Sequence, residues 1–335
     1  MLLTALSCPQ CGGALPKAAR WMLVTCPHCG AKVSSNQHVV RREAFTQAHD
    51  RVWSALMLDP SLRQVTVGDR SVRLLAHLSR GDSSEIFLGE RMGPFAERLT
   101  VKVARDSANN HCHEATASAL RALQTSSVAT APFFTAYFPQ VVAVGVDHRL
   151  HSEGRATLLL RNSPDYWGSL DRVLTQNPRG IDARHIVWIG SRCLDVLGFV
   201  HASGWTHGAL SLDHLLVQPQ DHAMMFVGWS HASRKGMDAS ARARDLSMLA
   251  WSLRRLVSLT NASDISAEPT LREDIPAPLA ELLVRMSEDR LWVMRTDASA
   301  LRDALAQAAA QSFGPRKFIA FNPRSAAPLA AGNAF

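Results

Sequence analysis

The sequence has no apolar run approaching the ~18–20 residues that a membrane helix needs. Its first residues, Met1-Leu-Leu-Thr-Ala-Leu-Ser7, lack the basic stretch that opens a secretion signal, and their apolar part is short. No membrane association is expected, and the chain reads as a cytoplasmic protein. Charge of one sign is not concentrated either. The 36 Lys and Arg stand against 29 Asp and Glu, giving a formal net charge of +7, and the arginines are scattered. Nucleic-acid binders carry a basic stripe, so nucleic acid is not the expected partner. Extensive disorder is excluded by composition, with 47% hydrophobic and 19% charged residues over 335 positions. That length holds about two domains.

Cysteine is scarce, six in all, but four of the six are patterned. Cys8-Pro-Gln-Cys11-Gly-Gly and Cys26-Pro-His-Cys29-Gly-Ala are matching turns fourteen residues apart. A Cys-x-x-Cys turn presents two thiolates to one ion, and Zn²⁺ takes four soft ligands in a tetrahedron. The glycine after each pair lets the backbone fold tightly round the metal. Two such turns at this spacing are the zinc-ribbon pattern. Disulfides would need a secreted chain. His28 lies inside the second pair and is a bystander, because Cys8, Cys11, Cys26 and Cys29 already close the site. Modules below ~40 residues fold only with their metal, so one structural Zn²⁺ per chain is expected. Residues 1–35 hold three basic side chains, Lys17, Arg20 and Lys32, which favours protein docking or capping over base reading. Cys112 and Cys193 read as ordinary buried cysteines.

Residues 36–60 read as a helical connector with Val40, Ala44, Ala48, Trp53 and Leu56 apolar. Residues 61–161 are strand-rich. Runs at 65–67 and 72–75 around Gly68-Asp69 predict a hairpin. Further strands are expected at 86–88, 99–103, 141–144 and 157–160, with one helix at 111–124. Residues 162–311 change to helical period, marked by Ile186, Ile189, Cys193, Leu197 and Val200, then Leu246, Leu249, Leu253 and Leu256. Leu279, Leu283 and Met286 repeat it, and Leu301 with Leu305 marks a last helix. Residues 312–335, with Pro315, Pro323 and Pro328, predict an extended tail in which 318–321 docks. The class is α+β.

A small β-rich lobe before a larger helical one frames a series of motifs. Ser79-Arg-Gly81-Asp-Ser-Ser-Glu85-Ile-Phe87-Leu88 and Leu99-Thr-Val-Lys102 come first, then Glu114 on the small-lobe helix. Val200-His-Ala-Ser-Gly204-Trp-Thr-His207-Gly-Ala-Leu-Ser-Leu-Asp-His214-Leu-Leu-Val217, Phe226-Val-Gly228-Trp229-Ser230 and Asp245 follow in order. Over residues 65–310 the chain resembles a bilobal protein kinase. The resemblance implies that Lys102 is the phosphate-contacting lysine and Glu114 its partner, a vestigial nucleotide-site pair that holds helix to sheet. It implies that Asp245 braces the catalytic loop.

The departures carry the functional reading. A kinase needs an Asp to accept the substrate hydroxyl proton, an Asn to hold metal, and the metal-binding Asp of D-F-G. Those positions fall on Ala209, on His214, and on Gly228, or on Phe226 if the alignment slips by two. The glycine-rich loop keeps one glycine of three. Asp213 precedes the lost Asn and would point elsewhere, and Asp221 reads as a turn residue. Trp205 and Trp229 are expected to fill the space of nucleotide and metal. ATP and Mg²⁺ are therefore not expected to bind. The expected function is a catalytically inactive pseudokinase, a protein-binding scaffold or allosteric regulator whose partner is a phosphatase, an active kinase or an assembly subunit. The alternatives are an atypical Ser/Thr-kinase-like phosphotransferase, and a nucleic-acid protein using the ribbon and Arg41-Arg42.

Elemental analysis should give about one zinc per chain, and Cys26→Ser should unfold the ribbon while leaving the rest folded. A metal-free chain with a protected, folded amino terminus contradicts the zinc assignment.

Overall fold

The computed structural model describes residues 23–25, 32–34, 64–91, 97–147, 154–162, 166–259 and 268–323. The chain divides into two units, Met1–Leu58 and Asp59–Phe335. In the first, β1 (Leu23–Thr25) and β2 (Lys32–Ser34) pair antiparallel with Val24 opposite Val33. Cys8, Cys11, Cys26 and Cys29, and the connector at 36–60, lie outside the described residues.

The second unit opens with six strands, β3 (Gln64–Val67), β4 (Arg70–Arg80), β5 (Ser84–Arg91), β6 (Glu97–Ala104), β7 (Gln140–Asp147) and β8 (Arg155–Arg161). They form one antiparallel sheet in the order β3-β4-β5-β6-β8-β7. Helix α1 (Asn110–Gln124) enters between β6 and β7 and packs on β7 and β8. Successive side chains of a strand alternate between faces, and β8 shows it. Leu159 joins Val65, Val72, Phe87 and Val101 in a core of the sheet alone, while Leu158 and Leu160 face α1.

Helices dominate the rest: α2 (Ala131–Phe134), α3 (Leu170–Gln176), α4 (Ala183–Ala202), α5 (Ala239–Leu256), α6 (Ala277–Glu288), α7 (Arg290–Met294) and α8 (Ala298–Phe313). A small sheet of β9 (Gly168–Ser169), β10 (Leu215–Gln218) and β11 (Ala223–Phe226) lies among them. Asp182, Asp238 and Asp297 start α4, α5 and α8 by accepting from the backbone N–H of Arg184, Ser240 and Ala300, each at 2.8 Å. The periodic leucines then bury one stripe of each helix: Ile186, Leu197, Leu249, Leu253, Leu283 and Leu305 are fully buried. This core is continuous with Leu120 and Leu123 of α1, so apolar packing joins the sheet lobe to the helical lobe. No described helix is long and apolar enough to cross a membrane.

After α8 the chain runs back extended over α4. Phe321 is 8% exposed and packs against His185 (4.8 Å between centroids) and Trp188 (5.5 Å). Asn177 Nδ2 donates to the Pro323 carbonyl at 3.2 Å. Phe318 stays 73% exposed. Burying a Phe side chain stabilises by ~1.5–3 kcal/mol. Phe321→Ala should therefore cost about 2 kcal/mol in urea unfolding and free the tail for proteolysis, whereas Phe318→Ala should cost under about 0.5 kcal/mol. Equal, small losses from both variants contradict the docked tail.

Candidate functional site

The loop 205–214 hangs on one carboxylate. Asp245, on α5, has no exposed surface. Its Oδ2 accepts from the backbone N–H of His207 at 2.8 Å and its Oδ1 from that of Gly208 at 2.7 Å. His201 Nε2, from the end of α4, lies 3.1 Å from Oδ2. Burial pushes this carboxyl upward, but the hydrogen bonds from His201 and the two amides outweigh it and hold Asp245 below the usual carboxylate range.

Along that loop each side chain is committed. His207 Nε2–H donates to the Val227 carbonyl at 2.9 Å, so Nδ1 is the acceptor, facing the Ala209 N–H at 3.3 Å. Burial drops His207 to about 4, which keeps it neutral. Its ring sits 4.5 Å from Trp229, and Trp229 reaches Phe138 at 5.5 Å. Trp229 is fully buried and donates Nε1–H to the Phe226 carbonyl at 2.9 Å.

His214 closes the site. Its Nδ1–H donates to the Ala209 carbonyl at 2.6 Å, and Nε2 lies 3.5 Å from the exposed carboxylate of Asp213. Its backbone carbonyl accepts from Val227 N at 2.9 Å, which sets the ring against Gly228. Gly228 has φ +80, and a Cβ added there would stand 2.5 Å from Cγ and Nε2 of His214 and closer still to Cδ2. The imidazole therefore occupies the volume that any side chain at 228 would need. Trp205 and Trp229, expected to fill the cleft, are instead core residues, with Trp205 covered by Arg234 at 5.3 Å. Phe226 is likewise in the core on β11, so Gly228 is the residue beside the loop.

Lys102 and Glu114 do not form a pair among the described residues. Glu114 is exposed, whereas His113 is buried. Helix geometry explains this: α1 buries His113, Thr116, Ala117, Leu120 and Leu123, and one step from 113 turns a side chain 100° away. His113 Nδ1–H donates to the Ala156 carbonyl at 3.0 Å, so Nε2 must accept from the Ser84 hydroxyl at 2.9 Å. Burial, then the Lys102 charge, lowers His113 to about 4. Burial also lowers Lys102, which has no carboxylate partner among the described residues.

One feature was not anticipated from the sequence. Ten residues, 229–238, join Gly228 to α5, and the kinase A-P-E sequence is not among them. They lie flat on the loop: Thr206 and Ser233 exchange backbone hydrogen bonds at 2.9 and 3.1 Å, and Gly236 N donates to the Gly204 carbonyl at 3.1 Å. A Cβ at 236 would meet the His201 carbonyl at 2.5 Å, so only glycine allows this approach. The sequence signal was Asp238, whose capping of α5 fixes how short the segment is.

The acids at hand do not assemble into a metal centre. Asp221 is tied to Gln218 in a turn. Asp213 takes the Ser211 hydroxyl at 2.5 Å and is 63% exposed. Among the described residues no group of three His, Cys, Asp or Glu could hold a metal ion.

No protein-family model and no curated protein matches the sequence. Solved structures do match. The BubR1 kinase domain superposes with a TM-score of 0.54 at 12% identity, over 82% of this chain and 95% of that one. Vaccinia related kinase 3 superposes with a TM-score of 0.51 at 16% identity, over 78% and 96%. The fold of this chain is thus protein-kinase-like.

Two buried neutral histidines set a pH dependence. An exposed His takes its proton near 6.5, whereas His113 and His207 are lowered to about 4. Between those values the unfolded chain binds more protons, so stability falls as pH falls through the window. The limit is roughly 3 kcal/mol for each group. His185 and His222, lowered by burial, add with the same sign. The urea midpoint should drop from pH 7 to pH 4.5, with a shallower slope in His113→Gln; a flat profile contradicts the buried neutral state.

Proposed function

We propose that this chain is a catalytically inactive pseudokinase, a cytoplasmic protein-binding scaffold or allosteric regulator with a zinc-ribbon docking unit at its amino terminus. The observation that carries the reading is the His214 ring standing where a side chain at 228 would be. Phosphoryl transfer needs a base, two metal-holding side chains and Mg²⁺ bridging the phosphates. Ala209 supplies no base. His214 offers an imidazole whose Nδ1–H is already spent on the Ala209 carbonyl, and Mg²⁺ prefers hard oxygen ligands. Gly228 supplies nothing, and its ligand cannot be regained while His214 stays.

The short 229–238 segment supports the same reading. In kinases the stretch after D-F-G carries the activation-loop phosphosite and is ordered by phosphorylation. Here it is fixed by backbone bonds to Thr206 and Gly204. A lobe arrangement held by packing presents a constant surface, which suits a scaffold. In the amino-terminal unit, Cys26 and Cys29 fall in the six residues joining β1 to β2. A turn between paired strands can present two thiolates to one ion, and four thiols match the softness of zinc. Cys8, Cys11, Cys26 and Cys29 would hold it, and the ion would supply fold rather than chemistry.

Two measurements test the dead site. Ligand at a hundredfold excess over its dissociation constant stabilises by ~2.7 kcal/mol, so millimolar Mg-ATP should leave the melting temperature unchanged. An upward shift of several degrees that disappears with EDTA revives the atypical phosphotransferase. Gly228→Asp should cost about 3 kcal/mol or more in the natural chain, from ring overlap and a left-handed backbone. In a His214→Ala background only the backbone part, ~1–2 kcal/mol, should remain. Equal costs in both backgrounds would falsify the steric exclusion.

A further inference from the structure

A groove of about 1040 Å³ lies between α4, α8 and the segment that follows α8, and shares no residue with the loop or with Gly228. Its volume is at the upper limit of small-molecule pockets (~300–1,000 Å³). Its floor has a helical pattern. Helix α8 turns Leu301, Leu305 and Ala308 into the core, while Ala306, Ala309, Ala310 and Phe313 line the groove. The spacing i, i+3, i+4, i+7 is an apolar stripe, and its small residues allow a helix axis to come close.

The opposite wall is rigid. The His222 ring stacks between Trp188 (4.1 Å, 8°) and Phe318 (4.6 Å, 18°). His222 has φ +53, the one non-glycine residue with positive φ among those described. It closes the turn between β10 and β11, where a left-handed residue is ordinary, and the ring stack holds its side chain. The groove is therefore formed in advance, and the exposed face of Phe318 rims it.

Its charge is lopsided. Arg184, Arg192, Arg302, Arg316 and Lys317 line it against one carboxylate, Asp195. Asp182 holds Arg184 and Asp195 holds Arg302. Arg192 gives its Nε–H to the His222 carbonyl at 3.3 Å, and Arg316 and Lys317 make no ion pair with another described residue. Asp195 attracts Arg192 as well, so two cations, Arg316 and Lys317, are left facing an apolar floor.

We propose that this groove receives an amphipathic helix of a partner protein, with an apolar stripe flanked by Asp and Glu. Helix-in-groove recognition reads i, i+3, i+4, i+7 anchors, and the free cations select acidic flanks. The chain's own residues 324–335 hold no Asp or Glu and lack this complementarity. The proposal gives the scaffold reading its partner chemistry and rests on it.

A library of random helical peptides displayed on phage should be selected against the intact, immobilised chain. Enriched sequences should carry apolar residues at helical spacing with Asp and Glu beside them. A synthetic winner should bind saturably, and Arg316→Glu with Lys317→Glu, both exposed, should weaken it about tenfold or more at unchanged melting temperature. Ala309→Trp should block it. The proposal is overturned by no enrichment, by winners without acidic bias, or by binding that neither variant changes. It is also overturned if winners bind only a chain ended at residue 323, which assigns the groove to the chain's own end. Single-stranded DNA or phosphatidylserine vesicles bound in place of peptide, and lost in the same variants, assign it to those partners instead. Phosphotransfer measured on the same preparation keeps the two claims apart: activity sinks the scaffold reading, and peptide selection alone decides the groove.

Discussion

A fully buried carboxylate costs several kcal/mol unless its lone pairs are used, and Asp245 uses them on the backbone of the loop before it. The N–H groups of His207 and Gly208 and the ring of His201 converge on two oxygen atoms from α4 and the loop. The arrangement is reciprocal. Without the loop the carboxylate is an unpaired buried charge, and without the carboxylate two buried amides lose their acceptor. Because the contacts are to backbone, they fix where the loop runs without fixing which side chains it carries. A loop held in this way keeps its path whatever side chains it carries.

From that fixed path the rest of the site follows by packing. The loop delivers His214 to a place where its Nδ1–H meets the Ala209 carbonyl and its main chain meets Val227. Gly228 then has to be glycine, since φ is +80 and the ring fills the space a Cβ would take. Two positions that each hold metal in an active kinase thus exclude each other here. Trp229 turns into the core against His207 and Phe138 and ties the loop to the apolar body that α1 shares with the helical lobe. An active kinase depends on metal and phosphate contacts to assemble its site. Among the described residues, this loop is positioned by apolar contacts and hydrogen bonds.

Much of this could be read from the sequence because it rests on period and order. The strands at 65–67, 72–75 and 99–103 and the helices carrying Ile186, Leu249 and Leu283 formed where their alternation or 3.6-residue repeat placed them. That Ala209 and Gly228 stand where a kinase has carboxylates is a reading of the sequence alone. What failed was orientation. Glu114 was chosen as a charged residue near the start of α1, yet the burial of Thr116, Ala117, Leu120 and Leu123 puts position 113, not 114, on the inner face. That phase was in the sequence, outweighed by the motif. The tryptophans failed for another reason: a large ring beside a lost site suggests filling, but Trp229 gains more by full burial with its N–H bonded to Phe226. Short elements such as β9, β10, β11 and α3 have too few residues for a period to show.

The contrast between Lys102, which faces inward, and the cations that face out bears on what such a protein can do. Lys102 keeps its place on β6 but pairs with no carboxylate among the described residues, and its inner neighbour His113 is held neutral by burial and by the lysine's own charge. Burial weakens the charge of such a lysine rather than using it. Arg192, Arg316 and Lys317 stand exposed to water beside an apolar stripe. Charge in water steers encounter and selects among partners, whereas charge in a sealed cleft mainly costs stability. In the proposed scaffold, the cations available for recognition are therefore those of the outer face.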